Sequence, residues 1–68
     1  MRLKELRKKK GISQQRLATD LNTTQNTISR YETGEREPGI DDLTKIADYF
    51  NVSIDYLLGR TDNPSMNR

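Results

Sequence analysis

Sixty-eight residues hold one domain, and 14 Leu, Ile, Val and Phe supply a core that is small but above the composition of disordered chains. With no cysteine and no histidine, disulfides, thiolate nucleophiles, zinc fingers and Ser-His catalysis are excluded, and no enzymatic activity, cofactor, metal or small-molecule ligand is expected. No apolar run approaches the roughly 20 residues of a membrane span, and Met1-Arg2-Leu3-Lys4 leads into no signal-peptide core, so a cytoplasmic chain without membrane contact is expected.

The net charge of +2 hides an asymmetry. Residues 1–36 carry nine Lys and Arg against four Asp and Glu, a net +5, whereas residues 37–68 carry three against six, a net −3. A basic half and an acidic half suggest one face drawn to a polyanion. The run Lys8-Lys9-Lys10 also has a plainer reading, as a solvated helix end that complements the macrodipole.

In chain order, a first helix is expected from about Met1 to Lys10, with Leu3, Leu6, Arg7 and Lys10 on one arc and Gly11 as its stop. Ser13 then caps a second helix, and Ile12 and Leu17 flank the cap as a hydrophobic staple. Leu17, Ala18 and Leu21 form the buried stripe of that helix, and Gln14 opens it on the same arc. Asn22-Thr23-Thr24 reads as a tight turn, in which Asn tolerates the left-handed conformation and Thr24 caps a third helix from about Gln25 to Thr33. Gly34 to Gly39 is a punctuated loop.

A fourth helix is expected over about Ile40 to Phe50, with Ile40, Leu43, Ile46, Ala47 and Phe50 on one side. Asn51 breaks it. Val52, Ser53 and Leu57 repeat the staple and cap for a short fifth helix ending at Gly59. Residues 60–68 lack periodicity and read as a flexible tail, leaving 1–59 as the domain. The expected architecture is all-α, five helices around Leu3, Leu6, Ile12, Leu17, Ala18, Leu21, Ile28, Tyr31, Leu43, Ile46, Ala47, Phe50, Val52 and Leu57.

The third helix carries the functional information. At about 100° per residue, Ile28 and Tyr31 face the core, while Asn26, Ser29, Arg30 and Thr33 face outward. Amide, hydroxyl and guanidinium groups are those that read base edges, Gln or Asn on adenine and Arg on guanine. They also occur on any polar helix surface. The tight turn between helices two and three, with small Ala18 where they cross, is the layout of a helix-turn-helix that leaves helix three free for a major groove. Gln14, at a helix N-terminus, can donate to a phosphate or serve as an ordinary first-turn residue.

The segments Ile12-Ser13-Gln14-Gln15-Arg16-Leu17-Ala18 and Thr24-Gln25-Asn26-Thr27-Ile28-Ser29-Arg30-Tyr31-Glu32-Thr33-Gly34 resemble the helix-turn-helix of phage lambda-type repressors, the Xre/Cro family. Pro38, the Leu43-x-x-Ile46-Ala47 pattern and Val52-Ser53-Ile54-Asp55-Tyr56-Leu57-Leu58-Gly59 extend the likeness over about residues 1–59. The resemblance implies a lambda-repressor-like domain that binds a double-stranded DNA operator and regulates transcription, usually as a homodimer on a two-fold-related site.

By the same resemblance, Gln25, Asn26 and Arg30, with Ser29 nearby, are base readers, and Gln14, Thr24 and Arg36 contact phosphates. Two departures stand out: Asn22 replaces the Gly that the family favours in the turn, and Glu35 and Glu37 flank Arg36. Arg7 and Glu32 each border an apolar face, where charges are costly unless paired, and the family pairs Arg with Glu at the matching positions. The plainer reading is that both snorkel separately to solvent. Tyr56 and Leu58 are the apolar candidates for contact between two copies. A second functional reading, the antitoxin half of a toxin–antitoxin pair, requires a further apolar surface for a protein partner, and residues 60–68 offer only Met66.

Overall fold

A computed structural model describes residues 1–65 as five helices. These are α1 (Leu3–Lys10), α2 (Gln14–Asp20), α3 (Gln25–Thr33), α4 (Ile40–Phe50) and α5 (Ile54–Leu57), with no strand among the described residues. Local chemistry sets most of the boundaries. The hydroxyls of Ser13, Thr24 and Ser53 each accept from the backbone N–H three residues on, at 3.0, 3.2 and 3.0 Å, and so satisfy a first-turn donor of α2, α3 and α5. Gly11 closes α1 with φ 77°, a left-handed conformation that costs glycine little. Asn51 does the same after α4 at φ 56°. Asn22, at φ 59°, makes the turn between α2 and α3, and the Thr23 N–H returns to the Ala18 carbonyl at 2.8 Å. This asparagine tolerates the geometry that the family assigns to glycine.

Each helix contributes one large fully buried side chain to the core: Leu3, Leu17, Ile28, Ile46 and Leu57. Leu6, Ala18, Leu21, Tyr31, Ala47 and Val52 complete the core. The radius of gyration is 11.0 Å, matching the ~11 Å of a folded domain of this length. Two polar fastenings tie α4 to α2 across the core edge. The Tyr49 hydroxyl donates to Asp20 at 2.6 Å, and the Lys45 ammonium donates to the Leu21 carbonyl at 3.2 Å. No helix among the described residues is long and apolar enough to cross a membrane.

Several expectations need correction. Ile12, Leu43 and Phe50 pack against the core but stay half-buried. Ile40, the first residue of α4, is 68 % exposed. Helix one starts at Leu3, with Arg2 as its N-cap at φ −86° and ψ 15°, and the Arg2 N–H, one of the donors without an intrahelical acceptor, goes to the Leu57 carbonyl at 2.7 Å.

The segment after α5 makes several contacts with Arg2 and Ser53. The Arg2 guanidinium donates to the carbonyls of Tyr56 (2.8 Å) and Thr61 (3.2 Å) and to the Asp62 carboxylate (3.0 Å). The Ser53 N–H donates to the Pro64 carbonyl at 3.1 Å. Residues 66–68, Met66 among them, lie outside the described residues.

Candidate nucleic-acid interface

α2, the turn and α3 pack as two crossing helices, with Ala18 buried at their junction. Ile28 and Tyr31 hold α3 to the core. The opposite side of α3 presents Gln25, Asn26, Arg30 and Thr33 exposed and Ser29 half-exposed. Among the described residues, no intramolecular partner engages the Asn26 and Ser29 side chains. The Thr33 hydroxyl donates back to the Arg30 carbonyl at 3.1 Å, and the Arg30 guanidinium lies 3.8 Å from the Glu35 carboxylate. An exposed pair at that distance leaves Arg30 free to turn outward at little cost.

Behind this surface runs a row of hydrogen bonds. Gln25 Nε2 donates to Gln14 Oε1 over a long 3.5 Å, and Gln14 Nε2 donates to Glu32 Oε1 at 3.0 Å. Arg7 closes the row with Nε on Glu32 Oε2 at 2.6 Å and Nη2 on Oε1 at 3.2 Å, while its Nη1 donates to the Ile12 carbonyl at 2.9 Å. The Glu32 side chain is 3 % exposed and that of Arg7 12 %. The two charges thus meet as a two-point pair instead of reaching solvent separately, and the pair links α1, α3 and the start of α2.

Burial alone would push the Glu32 carboxyl up. The hydrogen bonds from Arg7 and Gln14, with the charges of Arg7 and Lys4, outweigh it and hold the carboxyl below the ordinary glutamate value of 4.5. The Arg7 guanidinium is pushed up, chiefly by its hydrogen bond to Glu32. A lowered folded-state value means that the stabilisation is complete above 4.5 and is lost as pH falls through that lowered value. The unfolding midpoint should therefore drop in acid, and drop less steeply in Glu32→Gln. Equal acid slopes in denaturant titrations would contradict this assignment.

The structure places the remaining candidates apart from this row. The Thr24 hydroxyl is occupied by its cap and by a 2.9 Å contact with the Thr27 hydroxyl. Arg36 follows α3, with its guanidinium 6.0 Å from the Tyr31 ring centroid. Tyr56 is half-buried under the Arg2 guanidinium, 4.4 Å from the ring centroid, so only part of it is open to another copy. Leu58 remains 37 % exposed and borders a groove of about 380 Å³ with Met1, Pro38 and Leu43. In the lysine run, Lys10 sits 4.9 Å from the Tyr49 ring centroid, beside α4.

The contact between Gln14 and Glu32 was missed in the sequence. The position of Gln14 on the arc of Leu17 and Leu21 signalled that it points inward, although its partner lies 18 residues away.

A helix-turn-helix family model matches residues 3–57. The transcriptional regulator ImmR of Bacillus subtilis is 46 % identical over 61 residues, covering 90 % of this chain and 48 % of ImmR. The cryptic phage CTXphi transcriptional repressor RstR of Vibrio cholerae is 37 % identical over 59 residues, 87 % of this chain and 53 % of RstR. The transcriptional activator BcrR of Enterococcus faecalis is 37 % identical over 57 residues, 84 % of this chain and 28 % of BcrR. The chain spans about half the length of ImmR and RstR. No solved structure matches it significantly. With that match over most of the chain, and with α2, the turn and α3 in the corresponding order, the chain belongs to the helix-turn-helix family of the lambda-repressor, or Xre/Cro, type.

Proposed function

We propose that this domain binds double-stranded DNA in a sequence-specific manner and regulates transcription as a repressor, with α3 lying in the major groove. The observation that carries the reading is the outward side of α3. Gln25, Asn26, Ser29 and Arg30 stand there on a rigid helix, and Asn26 and Ser29 spend their hydrogen bonds on nothing within the described residues. Bare polar side chains of these types match the donor and acceptor code of the major groove. Gln14 at the start of α2, Thr24 at the cap of α3 and Arg36 in the loop after α3 are assigned the phosphate contacts that set the docking angle. Repression follows RstR, the relative named as a repressor, and needs only that a bound domain occupy an operator.

The domain acts as a homodimer on DNA. Leu58 and the open part of Tyr56 offer apolar surface to a second copy, and a two-fold pair places the half-sites about 34 Å apart, one helical turn. The test is selection from a random pool of duplex DNA. It should return an inverted pair of half-sites one turn apart, whereas a single unrepeated half-site with one protein bound would refute the dimer. No enrichment at all would refute sequence-specific binding. On the selected duplex, affinity should fall steeply with salt, by a log–log slope of about 0.9 per neutralised phosphate. Arg36→Ala should reduce that slope by about one without altering base preference.

A further inference from the structure

Ile40 is the most exposed large apolar side chain among the described residues. The exposed carboxylates of Asp41 and Asp42 follow it in the first turn of α4. The Asp42 carboxylate accepts from the Tyr31 hydroxyl at 3.2 Å, and nothing among the described residues engages Asp41. The start of α4 is therefore an acidic knob with an apolar tip.

A groove of the opposite character lies at the other end of the same helix, with a volume of about 290 Å³. Leu6, Phe50, Val52 and Tyr56, buried or half-buried, line its apolar part, and the exposed Lys9 and Lys10 border it. No carboxylate lines it. Lys10 lies over the Tyr49 ring, and Lys9 has no partner among the described residues. Ile40 and Phe50 are the first and last residues of α4, about 15 Å apart at a rise of 1.5 Å per residue. The knob of one copy therefore cannot enter the groove of the same copy. Neither α2 nor α3 lends the groove a residue.

We propose that the groove at Lys9 and Lys10 receives Ile40, Asp41 and Asp42 of a second copy of this chain, in a head-to-tail contact. Ile40 then leaves water against Phe50 and Val52, and the two carboxylates face the two ammonium groups, so apolar surface and charge are matched together. Each copy carries one knob and one groove, so the contact repeats from copy to copy and does not close as a two-fold pair does. It gives a role to the lysine run, which the reading of α3 leaves unused. It depends neither on that reading nor on the two-fold dimer, with which it shares only Tyr56.

The test is a set of fluorescence-anisotropy titrations at low salt, all in a Leu58→Ser background that weakens the two-fold contact. Two variants of exposed residues are added to it: Ile40→Ser, and the double variant Lys9→Gln, Lys10→Gln. The parent should bind itself, and added salt should weaken the association. Each variant titrated with itself should bind at least about ten-fold more weakly. Mixing the two variants should restore binding to within about three-fold of the parent, because the Ile40→Ser copy keeps the lysine groove and the lysine variant keeps Ile40. Equal affinity in all four titrations would overturn the proposal, as would a mixture that binds no better than either variant alone. A parent that does not associate up to about 1 mM would overturn it too. If the lysine variant loses affinity for random duplex DNA while its self-association is unchanged, the lysines serve phosphates and the proposal fails.

Discussion

Arg7→Ala is expected to destabilise the domain by about 3–5 kcal/mol, against less than about 0.5 for Lys8→Ala one position away. Both substitutions remove one positive charge from the last turn of α1, so the macrodipole contribution is common to both. They differ in what is left behind. Lys8 is exposed. Without Arg7, the Glu32 carboxylate, 3 % exposed in the intact domain, keeps only Gln14 as a donor, and the Ile12 carbonyl loses its donor. A domain of this length has about 3–10 kcal/mol in total, so the variant should sit close to its unfolding transition at room temperature. Its thermal midpoint should lie on the order of 12 °C or more below the wild type. Equal midpoints for the two variants would mean that Arg7 contributes through solvent-exposed charge alone. Replacing both partners with methionine should cost far less than Arg7→Ala, because no buried charge is then left unpaired.

The helical frame was legible because its determinants are local. Ser13, Thr24 and Ser53 announce three helix starts three residues ahead of their partners, and Gly11, Asn22, Gly34 and Asn51 mark the stops with positive φ. Periodicity identified the inward side of each helix, and it failed in depth. Ile40 lies on the apolar side of α4 yet projects beyond the body of the domain.

What could not be read was set by long-range polar contacts. The contacts of residues 61–64 depend on Arg2 and Ser53, through bonds that span up to 60 residues. The bond between Tyr49 and Asp20 joins residues 29 apart, with no local signature. At the candidate interface, residue types and helical angle pointed to the outward side of α3. The Arg7–Glu32 end of the row was legible from charges bordering apolar faces and from the resemblance, whereas the Gln14 and Gln25 links became visible only once α2 and α3 were in register, since both glutamines have ordinary surface roles in the linear sequence.

Sequence discrimination is expected to concentrate in Gln25, Asn26 and Arg30. The first turn of a recognition helix enters the groove deepest, which brings Gln25 and Asn26 nearest the base edges. Arg30 lies one turn beyond Asn26 and is expected to reach a guanine once it leaves Glu35. Ser29 is short and is expected to contribute through water or a thymine methyl. Each lost two-point contact should cost about 1–3 kcal/mol, mostly at one base pair of each half-site. Gln25→Ala should leave affinity for random DNA nearly intact, because that affinity comes from phosphate contacts. Arg30→Ala discriminates between two contacts: a guanine contact predicts loss on the selected duplex alone, and a phosphate contact predicts equal loss on selected and random DNA.

The most direct measurement is the ratio of affinity for the selected duplex to affinity for random duplex DNA, at one salt concentration, for wild type and for the alanine variants of Gln25, Asn26 and Arg30. If α3 reads the bases, Gln25→Ala and Asn26→Ala should each lower that ratio by roughly five-fold to a hundred-fold, and Arg30→Ala should do so if it bonds a guanine. If all three variants keep the wild-type ratio, α3 is not the reader and the proposed function is contradicted.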